Sequence, residues 1–210
     1  MRRLPVYLLL DTSASMKGEP IEAVRKGIDA MIGSLRQNPQ AIENVYISVL
    51  TFNRTAQVVV PLTDLVSFQM VEMNATGQTA LGAGLELLAE KINTEVAKTT
   101  MEQKGDWKPI VFIMTDGVPM DDWKKGLEKF KPCKTAFTVC CAVGKHADTN
   151  ILKQISPHVV MLDEVGGDSM SRFFLWLSSS VNTVSVKVEN SDEVLSLDEL
   201  PPPPPEVNIL

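Results

Sequence analysis

Hydrophobic residues along the chain form short unbroken runs, separated by longer segments with helical spacing. Runs without polar alternation are typical of strands that are buried on both faces of a sheet. The predicted strands are residues 6–10, 45–52, 56–62, 109–114, 135–143 and 159–162. In most of the intervening segments, apolar residues recur every three or four positions, which is the spacing of amphipathic helices. The predicted helices cover residues 20–35, 79–97, 121–130, 148–155 and 168–181.

This alternation of strands and helices predicts an α/β fold with a mostly parallel, doubly wound sheet. One connection breaks the alternation, because only the turn at Asn53-Arg54 separates the second strand from the third. A turn that short has no room for a crossover helix, so the two strands are expected to form an antiparallel hairpin. The third strand, residues 56–62, is therefore expected at an edge of the sheet.

The chain changes character after residue 181. Residues 182–210 carry six acidic residues and one basic residue, and they include five consecutive prolines at 201–205. Such a proline run is expected to be extended polyproline II. The sequence thus predicts one domain over residues 1–181 and an acidic, proline-rich tail over residues 182–210, outside the main core. Such a tail is solvated, docks on an aromatic groove of a partner, or supplies a carboxylate to a neighbouring molecule.

Composition restricts the classes of function. The chain has 210 residues, a formal net charge of −6 and 44% hydrophobic residues, as in an ordinary soluble protein. No cluster of lysines and arginines indicates a nucleic-acid surface, and no apolar run approaches the roughly 20 residues that span a bilayer. The three cysteines include no Cys-x-x-Cys pair, so reduced thiols and a cytoplasmic location are expected.

Three predicted loops carry small oxygen-bearing side chains. They hold Asp11-x-Ser13-x-Ser15 after the first strand, Thr79 before the second long helix, and Asp116 after the fourth strand. Because the carboxyl ends of parallel strands meet at one edge of a sheet, these loops are expected to converge. Two carboxylates and three hydroxyls suit a hard cation such as Mg²⁺ better than zinc. Two negative charges leave a dication electron-poor, so a vacant position could accept a carboxylate from another molecule.

Each of these segments also has a purely structural interpretation. Asp11 or Ser13 alone could cap the helix that follows, and Thr79 could be the N-cap of its own helix. Asp116-Gly117 alone is a turn signal. The ordered occurrence of all three segments, each beside the expected element, favours a metal site over three unrelated caps and turns.

Taken together, the loop residues resemble a known metal site, the metal-ion-dependent adhesion site of von Willebrand factor type A (vWA) domains. The resemblance covers about residues 4–181, and all five metal-site positions are filled. It implies a three-layer α/β/α, Rossmann-like fold with a six-stranded sheet, one antiparallel edge strand and a divalent metal at its top. The residues that carry it are Asp11-Thr12-Ser13-Ala14-Ser15, then Thr79, then Asp116-Gly117.

The resemblance also implies a role for each side chain and for the domain. Ser13 and Ser15 would bind the metal directly, whereas Thr79 would bind it directly or through water. Asp11 and Asp116 would act mainly through waters. The metal would be Mg²⁺, or another divalent cation such as Mn²⁺ or Ca²⁺. The domain would be a non-enzymatic module that binds a partner protein through a carboxylate on the metal.

Several loops are similar to a narrower group, the small TerY-like proteins of bacterial tellurium resistance. The similar segments are residues 1–6, 18–20, 77–82 and 104–109, together with the length of the chain. That group is associated with stress-response operons, and some members are encoded beside a protein kinase and a PP2C-type phosphatase. The resemblance implies a cytoplasmic scaffold or adaptor that is linked to such a kinase and phosphatase.

An enzyme is the main alternative. A Mg²⁺-dependent phosphatase of the haloacid-dehalogenase type also places an aspartate after its first strand, so Asp11 would be the nucleophile. Enzymes of this type carry an Asp-x-Asp motif, and the second aspartate of the motif donates and accepts the proton. Ser13 occupies that position here and cannot move a proton near neutral pH. Neither Gly-x-Ser-x-Gly nor a P-loop motif is present, so the interaction module is the preferred interpretation and no catalytic residue is assigned.

Overall fold

Seven strands and six helices make up the regular structure of the described residues, which are 2–144, 146–162, 167–190 and 200–210 in this computed structural model. The strands β1–β7 are Leu4–Asp11, Val45–Phe52, Ala56–Asp64, Ile110–Thr115, Phe137–Val143, Val159–Leu162 and Val207–Ile209. The helices α1–α6 are Glu19–Leu35, Pro39–Asn44, Leu81–Glu95, Trp123–Phe130, Thr149–Ile155 and Gly167–Asn190. None of these helices is both long and apolar enough to span a bilayer.

The strands form one sheet in the order β3-β2-β1-β4-β5-β6-β7. Five neighbouring strands, β2, β1, β4, β5 and β6, run parallel, and β3 is antiparallel to β2 at one edge. The predicted α/β fold and the predicted hairpin are therefore confirmed. Because β2 lies on one side of β1 and β4 on the other, the sheet has a topological switch point between β1 and β4. Ligands of open α/β sheets bind at such points, beside the carboxyl ends of the strands.

Apolar side chains cover both faces of the sheet. In β1, Leu8 belongs to the cluster beneath α1 and α6, whereas Leu9 belongs to the cluster beneath α3 and α4. The adjacent Cys140 and Cys141 likewise lie in opposite clusters, as their positions in a strand predict. This double burial explains why the central strands are continuously hydrophobic.

One short helix was not expected from the sequence. Asn38-Pro39 indicates the end of α1, and α1 does end before it, but the same pair also begins α2. The side chain of Asn38 accepts a hydrogen bond from the backbone N–H of Gln40, and Pro39 occupies the first turn. Both residues are favourable at a helix start. With only six residues, α2 is too short to show a periodic hydrophobic pattern.

The end of the chain packs on the domain, contrary to the expectation that the tail lies outside the core. Residues 207–209 form β7, which pairs antiparallel with β6, so the sheet has seven strands rather than six. Leu200 and Val207 are buried in the core. The edge of β6 would otherwise present unpaired backbone groups, and β7 covers them. Helix α6 continues beyond residue 181 to Asn190, and residues 191–199 lie outside the described part of the chain.

Two side chains of α6 hold the proline segment in place. The indole N–H of Trp176 donates a hydrogen bond of 2.8 Å to the carbonyl oxygen of Pro201. One turn earlier, Arg172 pairs with Glu206 at a largely exposed position. Prolines have no N–H to donate, so their carbonyl groups are the backbone contacts available to this segment.

Trp176→Phe is expected to lower the free energy of unfolding by about 1 kcal/mol, because the Pro201 carbonyl loses its donor while most of the ring packing remains. Arg172→Gln is the matched comparison, and an exposed ion pair contributes less than about 0.5 kcal/mol. Urea denaturation of both variants measures the difference. Equal stability losses in the two variants would show that the indole hydrogen bond does not anchor the segment.

Candidate metal centre

The carboxyl ends of β1 and β4 are neighbours at the switch point of the sheet. Leu10 pairs with Met114, so Asp11 and Thr115 end the two strands side by side. The loop that follows β1 contains a single 3-10 turn, Ala14–Met16, before α1 begins. The loop that follows β4 runs to α4. These two loops form opposite walls of the candidate site.

Asp11 lies at the base of the site, and only 1% of its surface is exposed. Its Oδ1 accepts a hydrogen bond of 2.7 Å from the backbone N–H of Ser13, and its Oδ2 accepts one of 2.6 Å from the Thr115 hydroxyl. Burial raises the pKa of Asp11 and the charge of Asp116 adds to that effect, while the Ser13 and Thr115 hydrogen bonds oppose it. The carboxylate is therefore held in one orientation by both walls.

A row of oxygen atoms crosses the site above Asp11. The hydroxyl oxygens of Ser13 and Ser15 are 3.0 Å apart, and the Ser15 hydroxyl donates a hydrogen bond of 2.8 Å to Oδ1 of Asp116. Burial raises the pKa of Asp116, whereas the Ser15 hydrogen bond and the charge of His146 act in the opposite direction. Ser13 is buried and Ser15 is exposed, so the row leads from the interior to solvent.

Thr79 reaches the site from the segment before α3. Backbone hydrogen bonds tie this segment to the first wall, from Ala14 N–H to the Gly77 carbonyl and from Thr76 N–H to the Thr12 carbonyl. On the second wall, Gly117 lies so close that a Cβ there would be 3.1 Å from the Thr79 hydroxyl oxygen. The structure therefore brings all five predicted residues to one edge of the sheet, where the three loops converge as expected.

A carboxylate outside the predicted set fixes the second wall. Asp121 accepts hydrogen bonds from the backbone N–H groups of Gly82 and Ala83, at 3.0 and 2.9 Å. These N–H groups belong to the first turn of α3, which lacks intrahelical acceptors and favours negative charge. The Met120 N–H also donates to the Thr79 carbonyl at 2.8 Å. The loop before α4 and the start of α3 are thus joined at several points.

Comparison with known proteins identifies the family. Residues 6–167, well over half of the chain, match the family model described as the von Willebrand factor type A domain. The chain belongs to the vWA domain family. Domains of this family commonly mediate metal-dependent protein–protein interactions.

Two curated proteins align with this vWA domain over a minor part of their own length. A von Willebrand factor A domain-containing protein of Dictyostelium discoideum is 29% identical over 148 residues, which is 70% of this chain and 16% of that protein. An uncharacterized protein of Synechocystis is 30% identical over 123 residues, which is 55% of this chain and 26% of that protein. The activities of these longer proteins therefore do not transfer directly to this chain.

Solved structures share the vWA fold at low sequence identity. A von Willebrand factor type A from Catenulispora acidiphila matches with a TM-score of 0.66 and 14% identity, over 87% of this chain and 43% of that one. Proximal thread matrix protein 1 from the mussel byssus matches with a TM-score of 0.66 and 18% identity, over 86% of this chain and 48% of that one. In that structure of the mussel protein, the metal-ion-dependent adhesion site is occupied by zinc.

The residues present in this vWA domain fit a divalent cation. The candidate donors are three hydroxyls and two carboxylates, which are hard oxygen ligands. Among the described residues, no three His, Cys, Asp or Glu side chains form a cluster that would suggest a different metal site. Burial disfavours the charged forms of Asp11 and Asp116, and a cation between the two walls would stabilise both.

Sequence reasoning missed three residues at this edge of the vWA domain. Thr115 directly precedes Asp116, and only the fold shows that its hydroxyl donates a hydrogen bond to Asp11. Asp121 was assigned to the start of a helix, and nothing in the sequence indicates its bond to a helix 39 residues earlier. His146 is 30 residues from Asp116 in the chain, and only the fold brings it close enough to lower the pKa of that carboxyl group.

Proposed function

We propose that this vWA domain is a non-enzymatic protein-binding module whose metal site accepts a carboxylate from a partner. The row of oxygens formed by Ser13, Ser15 and Asp116 carries the proposal, because it joins the two walls and ends at solvent. In this proposal Ser13 and Ser15 bind the metal directly, and Thr79 binds it directly or through water. Asp11 and Asp116 hold metal-bound waters.

Mg²⁺ is the proposed ion, because the donors are hydroxyls and carboxylates and because Mg²⁺ keeps several waters when it binds. Another divalent cation such as Mn²⁺ or Ca²⁺ is the alternative, since it also accepts such oxygen donors. When bound, the ion supplies a positive charge that the two aspartates only just balance. A partner carboxylate is then attracted to a position that would otherwise hold water. No side chain of the domain has to transfer a proton for this to occur.

Asp11 is poorly placed for the alternative role of a phosphatase nucleophile. Both of its carboxylate oxygens accept hydrogen bonds from the protein, and the residue is almost completely buried. A nucleophile needs a free oxygen that faces the substrate. Ser13, at the position of the second acid, offers no proton transfer near neutral pH. These observations support binding over hydrolysis.

The proposal extends to a biological setting. The TerY-like segments at residues 77–82 and 104–109 support a bacterial scaffold or adaptor in a tellurium-resistance or stress-response system. Its proposed location is the cytoplasm, and its proposed partners are a protein kinase and a PP2C-type phosphatase. Residues 1–181 are the proposed binding domain, with residues 182–210 as a C-terminal extension whose last strand completes the sheet.

Removal of the metal is expected to abolish partner capture. The immobilised full chain is incubated with lysate of its native host in Mg²⁺ or in EDTA, and specific partners should bind only in Mg²⁺ and return when Mg²⁺ is restored. Thermal unfolding of the full chain, with Mg²⁺, Mn²⁺, Ca²⁺ or Zn²⁺ added separately, identifies the ions that bind. Zn²⁺ is included because zinc occupies the site of the mussel protein.

Capture that is equal in EDTA and in Mg²⁺ would contradict the metal-mediated mechanism. Thermal stabilisation by Mg²⁺ without any effect on capture would instead assign the ion a structural role.

A further inference from the structure

Two large apolar side chains are exposed beside the proposed metal site. Val118 is 54% exposed and Met120 is 67% exposed, and both lie in the loop between β4 and α4. Val118 is two residues after Asp116, so their Cα atoms are within about 7 Å of each other. Met120 is bonded through its N–H to the carbonyl of Thr79. We call these two side chains the apolar rim.

The apolar rim is held in place on both sides. Before it, the Gly117 N–H donates to the Thr115 hydroxyl at 3.3 Å. After it, Asp121 is bonded to the first turn of α3. Pro119, between the two rim residues, has its φ angle fixed by its ring. The exposure of the rim is therefore built into the loop, and little backbone entropy of the loop is lost when a partner covers it.

A cation and an apolar rim side by side select a composite ligand. The metal attracts a carboxylate, whereas Val118 and Met120 remain in contact with water unless a partner covers them. If the partner has an apolar side chain next to its carboxylate, that side chain covers Val118 and Met120. The contact removes apolar surface from water, which is favourable in proportion to the area buried. The flexible thioether of Met120 adapts to different shapes of such a side chain. A partner whose carboxylate is flanked only by polar residues leaves the apolar rim exposed to solvent.

We propose that the apolar rim selects partners whose metal-binding Asp or Glu is flanked, within two residues, by a large apolar side chain. This inference rests on the proposed function, because the metal supplies the main attraction. It adds the chemistry of the partner segment: an acidic residue for the ion and a leucine, isoleucine, methionine or phenylalanine for the rim.

Selection of random peptides tests this inference without knowledge of the natural partner. Phage that display random 12-residue peptides are bound to the full chain in Mg²⁺ and released with EDTA. The released peptides should be enriched in Asp or Glu with a large apolar residue within two positions. A synthetic peptide of the most enriched sequence, and a second with glycine in place of its apolar flank, then serve as the probes in fluorescence anisotropy.

Val118→Ser and Met120→Ser are each expected to weaken binding of the enriched peptide by about 10-fold, which corresponds to about 1.4 kcal/mol. Both variants should bind the glycine-flanked peptide as the wild type does and should keep the same thermal stabilisation by Mg²⁺. The matched controls are Val66→Ser and Met101→Ser. Both wild-type side chains are exposed in loops far from the carboxyl ends of the parallel strands, after β3 and before β4. Neither control should change peptide affinity.

The failures of the two proposals are distinguishable. If EDTA releases acidic peptides without an apolar preference, or if the rim variants bind the enriched peptide normally, the rim inference is wrong and the metal mechanism stands. If EDTA releases no peptides above background, the carboxylate mechanism fails and the rim inference fails with it.

Discussion

Asp11→Asn and Asp116→Asn are each expected to weaken Mg²⁺ binding by about 10- to 100-fold, and the double variant should show no measurable binding. Each change removes one negative charge from the proposed site but retains an oxygen acceptor of nearly the same shape. At residue 11 the Ser13 N–H can still donate to the amide oxygen, whereas the Thr115 hydroxyl would accept a hydrogen bond from the amide NH2 group instead of donating one. Isothermal titration with Mg²⁺ measures the affinities, and partner capture should fall in parallel.

Measurements of stability with and without Mg²⁺ distinguish a variant that has lost metal binding from one that has lost the fold. Burial raises the pKa of Asp11 above its ordinary value, so keeping this group charged opposes folding near neutral pH. Without metal, Asp11→Asn should consequently be at least as stable as the wild type at pH 7. At the same Mg²⁺ concentration, the stability of the wild type should rise more than that of the variant, because the variant binds the ion more weakly.

Asp29→Asn removes the same charge from an exposed position on α1 and is the matched control. Unchanged Mg²⁺ affinity in Asp11→Asn and Asp116→Asn would rule out the assigned metal site. A metal-free Asp11→Asn variant that unfolds would instead assign the carboxylate a purely structural role.

Gly126→Ala is expected to reduce the free energy of unfolding by about 3 kcal/mol. A Cβ at this position would lie 2.8 Å from the Cα of Gly82 and still closer to its carbonyl oxygen. Both atoms belong to the backbone of α3, so no rotation of a side chain relieves the overlap. The helices α3 and α4 must move apart, and the bonds of Asp121 to the start of α3 are strained with them.

Gly33→Ala is the control, because its position in α1 is helical and has no neighbour within 4 Å of an added Cβ. That variant should be more stable than the wild type by about 0.5–1 kcal/mol, the usual gain of alanine over glycine within a helix. Urea denaturation of both variants and of the wild type gives the comparison. A Gly126→Ala variant as stable as Gly33→Ala would show that α3 and α4 do not pack this closely in solution.

The elements that could be predicted from sequence are those whose signal is local. The central strands are recognisable as continuous apolar runs because both of their faces are buried. Helix α1 is recognisable from apolar residues at helical spacing because one of its faces is buried. The convergence of Asp11, Ser13, Ser15, Thr79 and Asp116 also follows from local rules, since each residue lies next to a predicted element and parallel strands end at one edge. What these side chains bind remains a proposal that rests on their chemistry.

The features that sequence reasoning missed depend on distant residues or on very short elements. Strand β7 has three residues and follows a run of prolines, so it becomes a strand only because β6 offers an uncovered edge. The contact between Asp121 and Gly82 and the hydrogen bond from Thr115 to Asp11 each require the folded sheet. A periodic pattern carries no information about such pairs.

The hydrogen bond from Met120 to the Thr79 carbonyl has a thermodynamic consequence. It joins a residue of the apolar rim directly to a proposed metal ligand, so the rim and the metal site form one preformed surface that a partner contacts as a unit. Metal and partner then bind with positive coupling, and such coupling is reciprocal. If bound Mg²⁺ raises the affinity for the partner by some factor, the bound partner raises the affinity for Mg²⁺ by the same factor. At a limiting Mg²⁺ concentration, the amount of partner would therefore determine how many sites are occupied by metal.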